Sequence, residues 1–314
     1  MTDPASPFRC TDAARNRFDS LLGTAPPARR WLLLEHPGPW RIDAVAGSGI
    51  EPVMLAQLTS TAQRTGTRIL LVRRPGRTPA SAQRRWILAG LDRATVDGFW
   101  SADAELEACV RALSAPAQST TETPEPILLV CAHGVHDVCC ALRGRPVAAA
   151  LAARWPDQVW ESSHVGGDRF APNVVLLPDG FYYGNLDPQS ALAAVEAHLA
   201  GAVSTAYLRG MARHPPAAQA AVAAAYARFG PLGPHDIRVT DYLHTPPVGD
   251  DDPSRSQVGL SVPGVTGVVR VEVLGVRRTE AQLTCRAVRE TPATEYRIAG
   301  LTVSEASSES SAAD

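Results

Sequence analysis

The chain contains no lysine, so all 30 of its basic residues are arginine. Together with abundant alanine and proline this is most simply a coding bias toward GC-rich codons. Arginine and acidic residues nearly cancel, leaving a formal net charge of -2 over 314 residues. That balance gives no basic stripe for nucleic acid and no polybasic patch for a lipid surface. No apolar run approaches the roughly 20 residues of a membrane span. The first stretch, MTDPASPFRCTDAARNRF, has no apolar core of the kind a secretory leader needs. A cytoplasmic setting is therefore expected. In such a reducing compartment clustered cysteines are more often metal ligands or redox thiols than disulfides. Two signatures are also missing: a C-x-x-C pair, and two carboxylates placed to flank a glycosidic bond.

What is present is one dense stretch, Pro126 to Gly184. Three of the six cysteines (Cys131, Cys139, Cys140) and three of the eight histidines (His133, His136, His164) fall within 34 consecutive positions of it. Cys131 ends an apolar strand-like run. Cys139 and Cys140 follow just before a helix, and His164 ends the run VWESSH. Asp168 lies four residues further on, across Val165-Gly166-Gly167, where glycine permits close backbone approach. Thiolates and imidazole together suit zinc or an iron–sulfur cluster, not a hard oxygen-seeking ion.

Around that stretch the chain divides by composition and periodicity. Residues 1–29 read as an irregular arm, with Cys10 a lone and most simply incidental thiol unless the arm folds back over a site. Residues 30–113 run strand (31–36), helix (51–64), strand (67–72), strand (85–91) and helix (103–113), with Cys109 beside an apolar face. Residues 114–125 form a Ser/Thr/Pro/Glu linker. Residues 126–200 repeat the order, with a helix expected from Pro146, a hairpin around Pro178-Asp179-Gly180, and a helix opened by Asp187-Pro188. We expect 30–113 and 126–200 to be two copies of one thioredoxin-like α/β layout, ligand-type residues being confined to the second. Residues 201–303 should form an Ala-rich helix and a small antiparallel sheet with strands near 236–242, 256–262, 266–274, 281–288 and 295–302. Alternation of Leu283, Cys285 and Ala287 makes Cys285 a core residue of the fourth. Residues 304–314 are expected to be a disordered tail.

Several elements together resemble the sucrase/ferredoxin-like family over most of residues 10–210. They are C-A-H-G-x-H-D-x-C-C from Cys131, the G-R-P turn at 144–146, S-H-V-G-G-D-R-F-A-x-N at 163–173 and L-P-x-G-x-x-Y-G at 177–184. The earlier G-T-A-P at 23–26 and L-L-E-H-P-G-P-W at 33–40 are similar to its bacterial branch. The resemblance implies a thioredoxin-like domain holding a [2Fe–2S] cluster. By it Cys131 matches the first cysteine ligand, Cys140 the second and His164 the first histidine of H-x-G-G-H. Asp168 stands where the second histidine belongs. The fourth ligand is then Asp168, Cys139 or a nearby group such as His133. Asp168 is favoured because the i, i+4 pair keeps the motif's geometry, whereas adjacent Cys139 and Cys140 side chains diverge.

The implied function is electron transfer with a redox partner protein or reductase, and without nucleic acid or membrane. Mixed ligation should raise the potential above that of four-cysteine ferredoxins, with an aspartate partly reversing the shift. The rival readings are a thiol–disulfide enzyme using Cys139 and Cys140, a structural zinc site, or a non-catalytic binding protein. Arg143, Arg145 and Arg169 flank the stretch as groups able to steer an acidic partner or pair with carboxylates. No sugar hydrolysis is expected.

Overall fold

The computed structural model describes residues 7–76, 83–91, 93–116, 124–249 and 252–304. In chain order its elements are α1 (Cys10–Asn16), β1 (Arg30–Glu35), α2 (Pro52–Arg64), β2 (Thr67–Arg73), β3 (Arg84–Gly90), β4 (Arg93–Trp100), α3 (Glu107–Ser114), β5 (Ile127–Cys131), α4 (Val138–Arg154), β6 (Val159–Ser162), β7 (Val174–Leu177), β8 (Phe181–Tyr183), α5 (Pro188–Leu199), β9 (Leu208–Met211), α6 (Pro216–Phe229), β10 (Arg238–Thr245), β11 (Ser254–Ser261), β12 (Val268–Arg277) and β13 (Thr294–Ser304). No helix among the described residues is long and apolar enough to cross a membrane.

Nine strands form one sheet in the order β4-β3-β1-β2-β6-β5-β7-β8-β9. Read outward from its centre, the two halves are β2-β1-β3-β4 and β6-β5-β7-β8. Each has one parallel pair around its first strand and an antiparallel hairpin beyond it. This is the thioredoxin-like order, present twice. The halves meet where Val72 and Arg73 pair with Ser162 and Glu161, antiparallel. Those four residues lie at the C-terminal tips of β2 and β6, so the carboxyl ends of both units converge on one junction. Ligands of open α/β sheets sit outside such carboxyl ends.

Period-two alternation assigns the sheet's faces. Leu32 and Leu34 pack under α2 and α3, whereas Trp31 and Leu33 face the opposite side. In the second unit Leu128 and Val130 pack under α4, while Leu129 and Cys131 join Trp31, Cys10 and Cys140. A fully buried leucine of this kind contributes about 2 kcal/mol. α6 is buried on nearly every side because its alanines let β9 and the four-stranded β10-β11-β12-β13 sheet approach it closely. Val269, Val271 and Val273 line the inner face of that sheet as their alternation requires.

Four expectations are corrected. The arm carries a helix, α1, whose Cys10 and Thr11 are fully buried. A strand, β4, completes the first unit, making its match to the second closer than the sequence pattern suggested. α4 begins at Val138, eight residues before Pro146. Pro146 is tolerated inside it because the carbonyl it leaves unbonded, that of Leu142, lies on the solvent side, where Leu142 is 57% exposed. Finally, 281–288 is not a strand but a turn-rich segment closed by a bridge between Ala281 and Thr291. Its apparent alternation pairs with no neighbour. Most of the 114–125 linker and all of the tail beyond Ser304 lie outside the described residues.

Candidate metal centre

The site is built where β5 ends. Asp137 caps α4, its carboxylate accepting the Cys139 N–H at 2.8 Å. Gly144 then lets α4 lie directly on the strand: a Cβ there would stand 2.1 Å from the Cys131 carbonyl oxygen. That approach brings Cys140, in the first helical turn, beside Cys131. From the other side comes the loop after β6. Gly166 and Gly167 hold positive φ angles of 96° and 79°, a region costly to other residues. Arg209 donates to the Gly166 carbonyl (2.8 Å) and to Asn173 Oδ1 (2.9 Å), while Asn173 donates to the Gly167 carbonyl (2.9 Å). The loop is therefore clamped by two buried side chains, and it presents His164 and Asp168 to the cysteines.

Cys140 Sγ lies 3.2 Å from Asp168 Oδ1, and His164 Nδ1 lies 2.9 Å from the same oxygen. Cys131 stands beside Cys140 and His164, both of which act on its ionisation. Cys131, Cys140 and Asp168 are buried, and the His164 side chain is 31% exposed. The His164 Nδ1–Asp168 contact lacks hydrogen-bond alignment, so Nδ1 is a buried donor atom with no hydrogen-bond partner. His136 stacks on His164 with centroids 3.9 Å apart, its Nε2 standing 3.5 Å from Asp168 Oδ2.

The protonation states follow from these contacts. The Cys140 thiol donor holds Cys131 well below the ordinary thiol range against the opposing effect of burial, with His164 adding to the shift. Cys140 is pushed up by its bond to Cys131 and by burial. Burial opposes charge on His164, but Asp168 and Cys131 outweigh it and raise its pKa to about 9. Burial likewise opposes ionisation of Asp168, yet His136 and His164 hold it below the usual carboxylate range. One thiolate, one carboxylate and cationic imidazole thus already share a pocket. The thiolate and the carboxylate are already in the deprotonated form a metal requires, whereas His164 would give up its proton on binding.

Cys139 points elsewhere. One helical residue apart, it diverges from Cys140 as adjacent side chains must, and its Sγ lies 3.4 Å from Cys285 Sγ. Cys285 Sγ is in turn 3.5 Å from Cys10 Sγ, and Asp137 closes a second group with these three thiols. Cys139 accepts from Cys10 and, at 3.3 Å, from Thr11 Oγ1; Cys10 first and then Thr11 lower its pKa to about 5 despite burial. Cys285 is raised to about 11, chiefly by burial. The expectation that Cys285 is a sheet-core residue is overturned, and of the two readings of Cys10 the arm that folds back is the one observed. Cys109 is buried among the α2 and α3 side chains, as expected.

The remaining candidates also find places. His133 is turned toward Arg41, bonding that carbonyl at 2.7 Å through Nε2. His136 bonds the Ile42 carbonyl at 3.4 Å, so a loop of the first unit walls the site of the second. Arg143 binds Thr11 and Asp12, and Arg169 pairs with Asp19 at 3.3 Å. Both tie down the arm. Arg145 is exposed on α4. Arg209 escaped sequence reasoning, lying 41 positions past Asp168 with no local signal. Its partner Asn173 belongs to the S-H-V-G-G-D-R-F-A-x-N motif.

Fold and site together define an α/β protein of thioredoxin-like layout in which a largely buried group, Cys10, Asp137, Cys139 and Cys285, and a partly buried one, His136, His164 and Asp168, could each hold a metal ion. The sucrase/ferredoxin-like family matches residues 21–210. That is well over half of the sequence, and the chain belongs to this family. Comparisons with curated proteins and with solved structures found no match.

Proposed function

We propose that this chain is a [2Fe–2S] electron carrier whose ligands are Cys131, Cys140, His164 and Asp168. The observation that carries the proposal is the convergence of these four side chains from β5, α4 and the clamped 163–168 loop. The donor set fits the group: two thiols, one imidazole whose buried Nδ1 lacks a hydrogen-bond partner, and a carboxylate. When bound, the cluster supplies one-electron chemistry. The chain's own residues bind it, exclude water and tune its charge. Arg209, 1% exposed and bonded to no carboxylate among the described residues, places a buried positive charge behind the loop that offsets the thiolates. His136 and His164, each about a third exposed at the side chain, form the solvent-facing wall a redox partner or reductase would meet. Six free thiols are consistent with a reducing, cytoplasmic setting.

A dithiol enzyme using Cys139 and Cys140 is disfavoured because the two sulfurs face different groups. The test is anaerobic purification followed by visible absorption, iron and sulfide assays, and electron paramagnetic resonance of the reduced protein. Two irons and two sulfides per chain are expected, both lost in Cys131→Ala. Colourless protein without iron after anaerobic purification and reconstitution overturns the reading.

A further inference from the structure

Three thiols from the two ends and the middle of the sequence meet beside the proposed cluster site without belonging to it. Cys10 arrives on α1, Cys139 on the first turn of α4, and Cys285 in the turn-rich segment between β12 and β13. They are free thiols, with Sγ–Sγ distances of 3.4 Å for Cys139–Cys285 and 3.5 Å for Cys10–Cys285. We propose that Cys10, Cys139, Cys285 and Asp137 form a second metal site, distinct from the cluster, that takes one tetrahedral, thiolate-preferring ion such as Zn2+.

The geometry is that of a four-coordinate site. Thiolates bound at roughly 2.3 Å to a tetrahedral ion stand about 3.8 Å apart, a few tenths of an ångström beyond the observed separations. Asp137 supplies the fourth donor, its Oδ2 lying 3.5 Å from Cys10 Sγ. Its orientation is fixed: Oδ1 accepts the Cys139 N–H, and Oδ2 accepts the Cys285 N–H at 2.6 Å. Each oxygen retains lone-pair capacity for an ion.

Outer partners of the kind that support metal–thiolate sites are also in place. Thr11 Oγ1 donates to Cys139 Sγ at 3.3 Å, and the Cys10 N–H donates to Cys285 Sγ at 3.4 Å. Arg143 in turn donates to Thr11 Oγ1 at 2.9 Å, bringing positive charge toward a thiolate-rich centre. Soft sulfur donors select Zn2+ over Mg2+ or Ca2+. Binding releases the thiol protons and ties the arm and the 278–291 segment to the start of α4. The ion there is structural: with three thiolates and a carboxylate it leaves no open position for substrate.

Because the two sites use different residues, each can be tested separately on the full chain. Zinc is measured alongside iron and sulfide, and Co2+ is titrated into the cluster-loaded protein. Wild type should bind one equivalent of Co2+ with strong thiolate-to-cobalt charge transfer and tetrahedral ligand-field bands, both displaced by Zn2+. Cys285→Ala, altered in a half-exposed turn outside both sheets, should weaken binding more than the ~10–100-fold typical of losing an outer-shell partner, while iron and sulfide stay unchanged. Cys10→Ala should do the same. Cys131→Ala should lose the iron and keep the zinc or cobalt signal. Cys109→Ala, at a buried thiol outside both groups, should change neither. Wild type that yields no zinc and no charge-transfer band overturns the proposal, as does a disulfide among the three thiols. Loss of iron in Cys285→Ala also overturns it, by making the two groups one site.

Discussion

The two halves of the nine-stranded sheet have the same strand order and only one of them carries the proposed ligands. After β5 the chain runs through a six-residue loop to a capped helix carrying two cysteines. After β1 it runs through a longer loop, 36–51, to α2, capped by Glu51, whose carboxylate accepts the N–H groups of Val53 and Met54. No thiol stands in that first turn. The loop has a different role: Arg41 and Ile42 offer carbonyls to His133 and His136, and Trp40 packs edge-on to His133. The first unit has become a wall for the second because β2 and β6 join at their carboxyl tips. A repeated fold can thus divide labour, one copy holding ligands and the other closing the pocket.

The largest expected contrast is between the cysteines of the two units. Cys131→Ala or Cys140→Ala should abolish visible absorption, whereas Cys109→Ala should leave the spectrum intact and reduce only thermal stability.

Glycines sharpen the comparison next. Gly144→Ala drives a methyl into the Cys131 carbonyl and should cost about 3 kcal/mol along with the cluster. Gly66→Ala in the first unit meets no atom within 4 Å and should cost only about 1 kcal/mol of left-handed strain. Denaturant titrations that rank them the other way would refute the close-approach role of Gly144. Arg209→Met should likewise destabilise by about 3 kcal/mol, because buried carbonyls of the loop lose their donor. Arg209→Lys should recover part of that stability and of the iron content.

Asp168→His exchanges an anionic for a neutral ligand and should raise the reduction potential, on the order of 100–300 mV, read by redox titration. An unchanged potential would remove Asp168 from the ligand set.

The smallest effect concerns the far end of the second unit. Asp179, in the β7–β8 turn, bonds His198 at 2.9 Å and His235 at 3.0 Å. Burial opposes its ionisation, but the two histidines hold it below the usual carboxylate range. Asp179 in turn raises His235. The lowered carboxylate stabilises the fold above about pH 4 and loses that contribution on acidification. The raised histidine stabilises it below about pH 6.5 and loses that as pH climbs through its folded value. Asp179→Asn should flatten the pH profile of the denaturation midpoint on both sides of this window. His235 is largely exposed, so its arm of the profile should be the shallower.

Most of the proposed ligand set could be read in advance because it is carried by short, ordered spacings. Cys131 closes a strand, Cys140 sits nine positions on at a helix start, and His164 and Asp168 bracket a Gly-Gly turn. The strands of the second unit were legible for the same reason, since each is a short apolar run buried along its whole length and bounded by turn residues. β4 was missed because, within RATVDGFW, Asp97 and Gly98 break the apolar alternation. α4 was begun too late because proline marks a helix start far more often than it sits inside one.

What the sequence by itself determined is therefore the thioredoxin-like repeat, the alternation of the C-terminal sheet and the residues that converge at the end of β5. The tertiary structure alone decided that Cys139 leaves Cys140 for Cys10 and Cys285, that Arg209 clamps the glycine loop, and that a loop of one unit walls the site of the other. Those contacts join positions dozens to hundreds of residues apart. They are fixed by how the arm, the two sheets and the 278–291 segment pack, and such packing leaves no period in the chain.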